Sequence, residues 1–152
     1  MKDLRGSASQ PVNAAPERCL ELLADVEGYP RWYPEVVRGI EVVKRDAAGA
    51  AQQVRAILRA AVGPINRDLE LQLGVTRGAD TVVLARVPDA GSDRERFEVN
   101  WRVVRAGAQQ ARIELSLAAS LDVPRLLPVS GLADTLATGF VGAAVRELSR
   151  GT

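Results

Sequence analysis

The hydrophobic rhythm of the chain changes twice along its length. Cys19, Leu20, Leu22, Leu23 and Val26 recur at helical spacing, which predicts an amphipathic helix over about residues 15–25. Pro16 suits the first turn of that helix, and Glu17 suits its positive end. Gly28 and Pro30 break it, and a second short helix is expected over Tyr29 to Tyr33, closed by Pro34. From residue 37 the period becomes two. Extended segments are expected at about 38–46, 52–62, 66–77, 81–87, 94–106 and 109–121, preceded by a weaker strand at 4–12. Turn-like breaks separate them: Asp46-Ala47-Ala48-Gly49, Gly63-Pro64, Arg77-Gly78-Ala79-Asp80, Asp89-Ala90-Gly91-Ser92-Asp93 and Ala106-Gly107. Such short connections imply hairpins and an antiparallel meander. After Pro124 and Pro128 the helical period returns, predicting a long helix over about 129–149.

The alternation also says which side is wet. Val54, Ala56 and Leu58 oppose Arg55 and Arg59. Leu69, Leu71, Leu73 and Val75 oppose Asp68, Glu70 and Gln72. Phe97, Val99, Trp101 and Val103 oppose Arg96, Glu98, Asn100 and Arg102, and Ala111, Ile113, Leu115 and Leu117 oppose Arg112, Glu114 and Ser116. One greasy and one charged face define a sheet solvated on one side. The terminal helix carries a matching stripe of Val129, Ala133, Leu136, Ala137, Phe140, Val141, Ala144, Val145 and Leu148, able to cover that greasy face. The segment 81–87 is the exception. Val82, Leu84 and Arg86 share one side, Val83, Ala85 and Val87 the other, and both sides look apolar, so the facing of Arg86 stays open.

Composition narrows the chemistry. At 152 residues, with 47% hydrophobic and 26% charged residues, one soluble domain is expected. Lys+Arg is 20 against Asp+Glu 19, too balanced for the basic face that nucleic acid demands, so no nucleic-acid partner is expected. No apolar run approaches the ~20 residues that span a bilayer, and no segment resembles a signal peptide. The expectation is a cytoplasmic chain without stable membrane insertion. The sequence contains no His and one Cys, Cys19. That excludes Ser-His-Asp and Cys-His arrangements and argues against a transition-metal site, so neither a catalytic residue nor a metal or other cofactor is assigned. Cys19 reads as a small buried hydrophobe, and Asp68 and Glu70 as wet-face neighbours rather than a catalytic pair.

The segment Ala14-Ala15-Pro16-Glu17-Arg18-Cys19-Leu20-Glu21-Leu22-Leu23-Ala24-Asp25-Val26-Glu27-Gly28-Tyr29-Pro30-Arg31-Trp32-Tyr33-Pro34 holds three of the chain's six aromatic residues within five positions. With the element order, it resembles the START-like superfamily (SRPBCC), which includes polyketide cyclase/dehydrase-like, coenzyme-Q-binding-like and plant lipid-binding proteins. The resemblance covers nearly the whole chain. It implies an α+β helix-grip fold: a curved seven-stranded antiparallel sheet wrapped around the long C-terminal helix, with two short helices after the first strand. It also implies a cavity between sheet and helix that holds an apolar molecule. The first strand, with Gly6, Ser7, Ala8 and Ser9, is smaller and more polar than the family pattern.

On that reading the ligand-binding wall comprises Trp32, Leu58, Leu71, Leu73, Phe97, Val99, Trp101, Leu115, Leu117, Leu136, Ala137, Phe140 and Val141, with Arg86 and Thr138 as candidate polar contacts. Trp32, Tyr29 and Tyr33 read either as a lid or as anchors of the short helices. Gly139 and Gly142, inside the long helix, either leave room for a guest or allow close packing or a bend. The expected partner is a hydrophobic small molecule such as a lipid, quinone or polyketide. The alternatives are a polyketide cyclase/dehydratase-type enzyme and a protein-interaction module with a protein partner.

Overall fold

The computed structural model describes residues 2–62, 65–87, 96–121 and 131–150. The elements follow the expected order: β1 (Lys2–Val12), α1 (Pro16–Ala24), one turn of 3-10 helix (Val26–Gly28), α2 (Tyr29–Trp32), β2 (Val37–Arg45), β3 (Ala51–Val62), β4 (Ile65–Arg77), β5 (Thr81–Arg86), β6 (Arg96–Gly107), β7 (Gln110–Leu121) and α3 (Leu132–Arg150). The turns expected at Gly63-Pro64 and at 89–93, the strand start at 94–95 and the helix start at 129–130 lie outside the described residues. Helix α3 begins at Leu132, directly after Gly131, whose φ of 79° lies in the left-handed region open to glycine.

All seven strands form one antiparallel sheet in the order β1-β7-β6-β5-β4-β3-β2. Strands β2 to β7 run as a meander, and β1 adds to its far edge beside β7. The sheet is curved, giving an α+β helix-grip arrangement.

The alternation places the faces as the sequence predicts. Val54, Ala56, Leu71, Leu73, Val99, Trp101, Ile113, Leu115 and Leu117 are buried on the inner face. The outer face carries ion pairs and polar bridges. Arg55 meets Glu41 and, at 3.5 Å, Glu70; Arg59 meets Asp68 at 2.7 Å; Gln53 donates to Gln72 at 3.3 Å. These charges are exposed, so each pair contributes little to stability and much to keeping that face in water.

Why α3 settles where it does follows from the smallness of β1. The helix packs chiefly on β1 and secondarily on β7. A Cβ built on Gly6 would fall well inside contact distance of the Ala133 carbonyl carbon and the Asp134 nitrogen. Only a residue without a side chain lets the start of α3 lie on the strand at that point. Asp134 then accepts a hydrogen bond from the Ser7 amide at 3.1 Å, so the helix satisfies a backbone donor on an edge strand. The polar, small first strand is therefore the bed of the helix.

Candidate functional site

The site is the space between the inner sheet face, α2 and α3. Helix α2 is four residues long and is held by aromatic contacts. Tyr29, Trp32 and Tyr33 are all buried. Tyr29 lies 4.8 Å from Trp32 between ring centroids, and Tyr33 stacks beside Trp32 at 6.5 Å. Tyr33 also meets Phe140 of α3 edge-on at 4.7 Å, and Phe140 in turn meets Trp101 of β6 edge-on at 6.2 Å. This chain of rings ties the short helix to the long one and to the sheet. Anchoring is what the three aromatics of the 29–33 segment do in this structure.

The hydroxyl of Tyr29 donates to the Leu23 carbonyl at 2.5 Å, closing the end of α1. Burial pushes its phenol well above the ordinary tyrosine range; the Trp101 indole opposes that shift and Asp25 adds to it. Tyr33 is also raised, first by burial and then by Glu35, with Arg146 opposing. Burial likewise raises the Cys19 thiol, whose side chain is 0% exposed. No buried polar or charged residue stands among the described core positions, so the buried part of the concave side is aliphatic and aromatic.

Those walls border a recess of about 20 Å³ lined by Val26, Tyr29, Val37, Ile40, Ala56, Leu58, Leu73, Leu84, Phe97, Val99 and Phe140. Of the residues singled out from sequence, Leu58, Leu73, Phe97, Val99 and Phe140 meet there. Trp32, Leu71, Trp101, Leu115, Leu117, Ala137 and Val141 are buried in the surrounding core but do not line this space. Leu136 is half-buried on α3, and Thr138 is exposed. The sequence reading passed over Val26, Val37, Ile40, Ala56 and Leu84 as wall residues. Their signal was present in the same alternation, but nothing local separates a wall position from a packed one. Two larger depressions, of about 670 and 750 Å³, lie elsewhere. The first is on the wet side of β1, β6 and β7, with Arg5, Arg96, Glu98 and Asp134 in its walls. The second is edged by Glu21, Asp25, Glu27 and Asp46. Both are open and charged, unlike an apolar guest site.

Cross-strand pairing settles Arg86. It stands opposite Leu73, and two residues along its own strand is Leu84; both are buried and line the cavity. Directly opposed residues share a face, so Arg86 belongs to the inner side, at the last position of β5, where it is half-buried. The glycines of α3 divide. A Cβ on Gly139 would collide with the Tyr33 hydroxyl, so this glycine is the notch that receives Tyr33. A Cβ on Gly142 would meet only Gln10 Nε2, at an ordinary 3.8 Å.

Comparison with known proteins fits this architecture. Residues 12–146 match the family described as polyketide cyclase/dehydrase and lipid transport, and the chain belongs to that family. A START superfamily protein from Mycobacterium smegmatis superposes with a TM-score of 0.78 at 20% identity, over 97% of this chain and 99% of that one. A protein of Thermus thermophilus gives 0.70 at 19% identity over 98% and 99%, and the Zhui aromatase/cyclase from Streptomyces sp. R1128 gives 0.65 at 14% over 98% and 95%. At these identities the likeness is one of fold. No curated protein matches the chain. Among the described residues no helix is long and apolar enough to cross a membrane.

Proposed function

We propose that the chain binds an apolar or amphipathic small molecule, such as a lipid, quinone or polyketide, between the inner sheet face and α3, and carries or sequesters it unchanged. The observation that carries this reading is an inner face without a buried polar or charged residue among the described positions, in a sequence that lacks His. Acid–base or nucleophilic chemistry needs polar groups converging on the reacting atoms; an apolar surface removes a greasy guest from water at about 25 cal/mol per Å². The cavity of about 20 Å³ has room for a single water, whereas small-molecule sites are roughly 300–1,000 Å³. On this reading, binding requires the inner sheet face and α3 to part. Native mass spectrometry after gentle purification from the source host is expected to show a retained small molecule. A bare protein that also fails to take up an added apolar probe overturns the proposal.

A second reading, a polyketide cyclase/dehydratase-type enzyme, has one observation in its favour: Arg86 lies on the inner side. A guanidinium there would hold a carboxylate or an enolate of a polyketide. It predicts that a bound polyketone changes mass on incubation and that Arg86→Ala abolishes the change. A mass that stays constant leaves the carrier reading in place.

A further inference from the structure

We propose that the outer face of the sheet at β1, β7 and β6 is a docking surface for a second copy of this chain. The two copies stack face to face about a two-fold axis that runs along β7. The contact lies on the wet side of the sheet, away from the inner face, so it does not rest on the binding function proposed above.

The surface is the open depression of about 670 Å³ on that side. Strand register lays its residues out in rows. Asp3, Ser120 and Arg96 stand side by side in one row, and Arg5, Ala118 and Glu98 in the next. Directly opposed residues share a face, so the four charges stand at the corners of a rectangle. The corners are exposed, and the floor of Ser120 and Ala118 between them is half-buried. Signs alternate around the rectangle: acid then base along β1, base then acid on the facing positions of β6. On β2 to β4 the outer charges pair within the chain, Arg55 with Glu41 and Glu70, and Arg59 with Asp68. Among the described residues Arg5 and Arg96 make no ion pair. Asp3 accepts a hydrogen bond from the Ser120 hydroxyl, and Glu98 accepts one from Asn100 at 3.1 Å, so each acid has a neutral donor and no cation.

Charges that alternate around a rectangle are complementary to the same pattern turned over. Turning a second copy about an axis along β7 lays β1 of one copy over β6 of the other. Asp3 then faces the partner's Arg96, and Arg5 faces the partner's Glu98. A two-fold axis makes each contact twice, so four ion pairs form and every corner charge gains an opposite one. Along the axis Ser116, Ala118 and Ser120 are all small, so no long side chain there holds apart two sheets that pack about 10 Å from one another. A partner of one sign is disfavoured, because it satisfies two corners and repels the other two. Three strands are a narrow interface and the contacts are exposed charges, so the dimer is weak and salt-sensitive.

The test is sedimentation equilibrium of the full chain, up to about 1 mM protein, in about 20 mM and about 500 mM salt. The expected result is a monomer–dimer equilibrium at low salt that weakens about tenfold or more at high salt. Arg5→Glu and Glu98→Arg each set like charges face to face at two contacts, and each is expected to weaken the low-salt dimer about tenfold or more. In a mixed dimer of the two variants, position 5 of one chain and position 98 of the other carry opposite signs at both such contacts. Mixing the variants is therefore expected to restore wild-type affinity. A chain that stays monomeric at low salt overturns the proposal, and so does a dimer that salt leaves unchanged. Variants that dimerise as wild type does overturn it, and so does a mixture as weak as its components. Should either variant not fold, Arg5→Gln and Glu98→Gln, which remove a charge without reversing it, are expected to weaken the dimer severalfold. Wild-type affinity in both overturns the proposal.

Discussion

Gly139 and Gly142 sit three residues apart on one helix, yet their environments predict opposite outcomes. In a helix interior Ala is favoured over Gly by about 1 kcal/mol. At Gly142 the new methyl meets only ordinary contact, so Gly142→Ala is expected to raise stability by about 0.5–1 kcal/mol in urea unfolding. At Gly139 the methyl collides with the Tyr33 hydroxyl, and overpacking of this kind costs about 1–3 kcal/mol. The clash should outweigh the propensity gain, leaving Gly139→Ala less stable than wild type. Removing the hydroxyl takes away the worst of the clash and leaves the Tyr33 ring carbon at a still tight 3.2 Å. The double variant Gly139→Ala/Tyr33→Phe should therefore recover part of the loss, and a double-mutant cycle reads that coupling. Additive effects of the two substitutions would show that Tyr33 does not occupy the notch. Cys19 makes a second test at this scale. Buried and with its thiol pushed up, it should resist alkylation in the native chain at neutral pH and react once urea unfolds it.

At the scale of elements, the joint between β1 and α3 holds the site together, because α3 contributes Phe140 to the cavity and β1 carries α3. Gly6→Val must push the helix start away from the strand, since the atoms a Cβ would meet are backbone and cannot rotate aside. A loss of at least about 1–3 kcal/mol is expected, together with broadening of the Phe140 and Trp101 signals as the helix lifts. Asp134 contributes through a hydrogen bond to the Ser7 amide, worth about 0.5–1.5 kcal/mol. Asp134→Ala should lose most of that amount, and Asp134→Asn, which keeps an acceptor oxygen, should lose less. Equal losses would mean that the carboxylate charge, near the positive end of α3, matters more than the bond.

For the whole molecule, pH dependence follows from the tyrosines and the surface carboxylates. The phenols of Tyr29 and Tyr33 are held above the ordinary value of 10.0. Their contribution is intact below the unfolded-state pKa and is lost as pH rises toward the folded-state values, because the unfolded chain releases protons first. Above pH 10 stability should fall by about 1.4 kcal/mol per pH unit for Tyr29 alone, and Tyr29→Phe should flatten that slope. On the acid side Glu17 and Glu27 are lowered, Glu17 by the helix backbone and Arg105, Glu27 by Arg45. Their contribution is present above the unfolded carboxylate pKa and fades as pH falls below it. Both groups are exposed, so this acid limb should be shallow.

The chain on its own determined the element order, the wet and greasy faces, and the absence of imidazole chemistry. These are local properties: a pleat puts alternate residues on opposite faces and a helix repeats every few residues, so the pattern records which side each position turns to water. It also showed small residues along the first strand and glycines in the last helix without showing what needed them. That need is a contact between Gly6 and Ala133–Asp134, and between Gly139 and Tyr33, over separations of more than a hundred residues. Arg86 illustrates the same limit. Its strand is apolar on both sides, so alternation says nothing about its facing, and only its pairing with Leu73 places it inward. The wall of the cavity was legible as a set of inward residues but not as a surface. Which of them border empty space and which press against one another depends on sheet curvature and on how closely α3 approaches, and both are sums of distant contacts that no stretch of sequence contains.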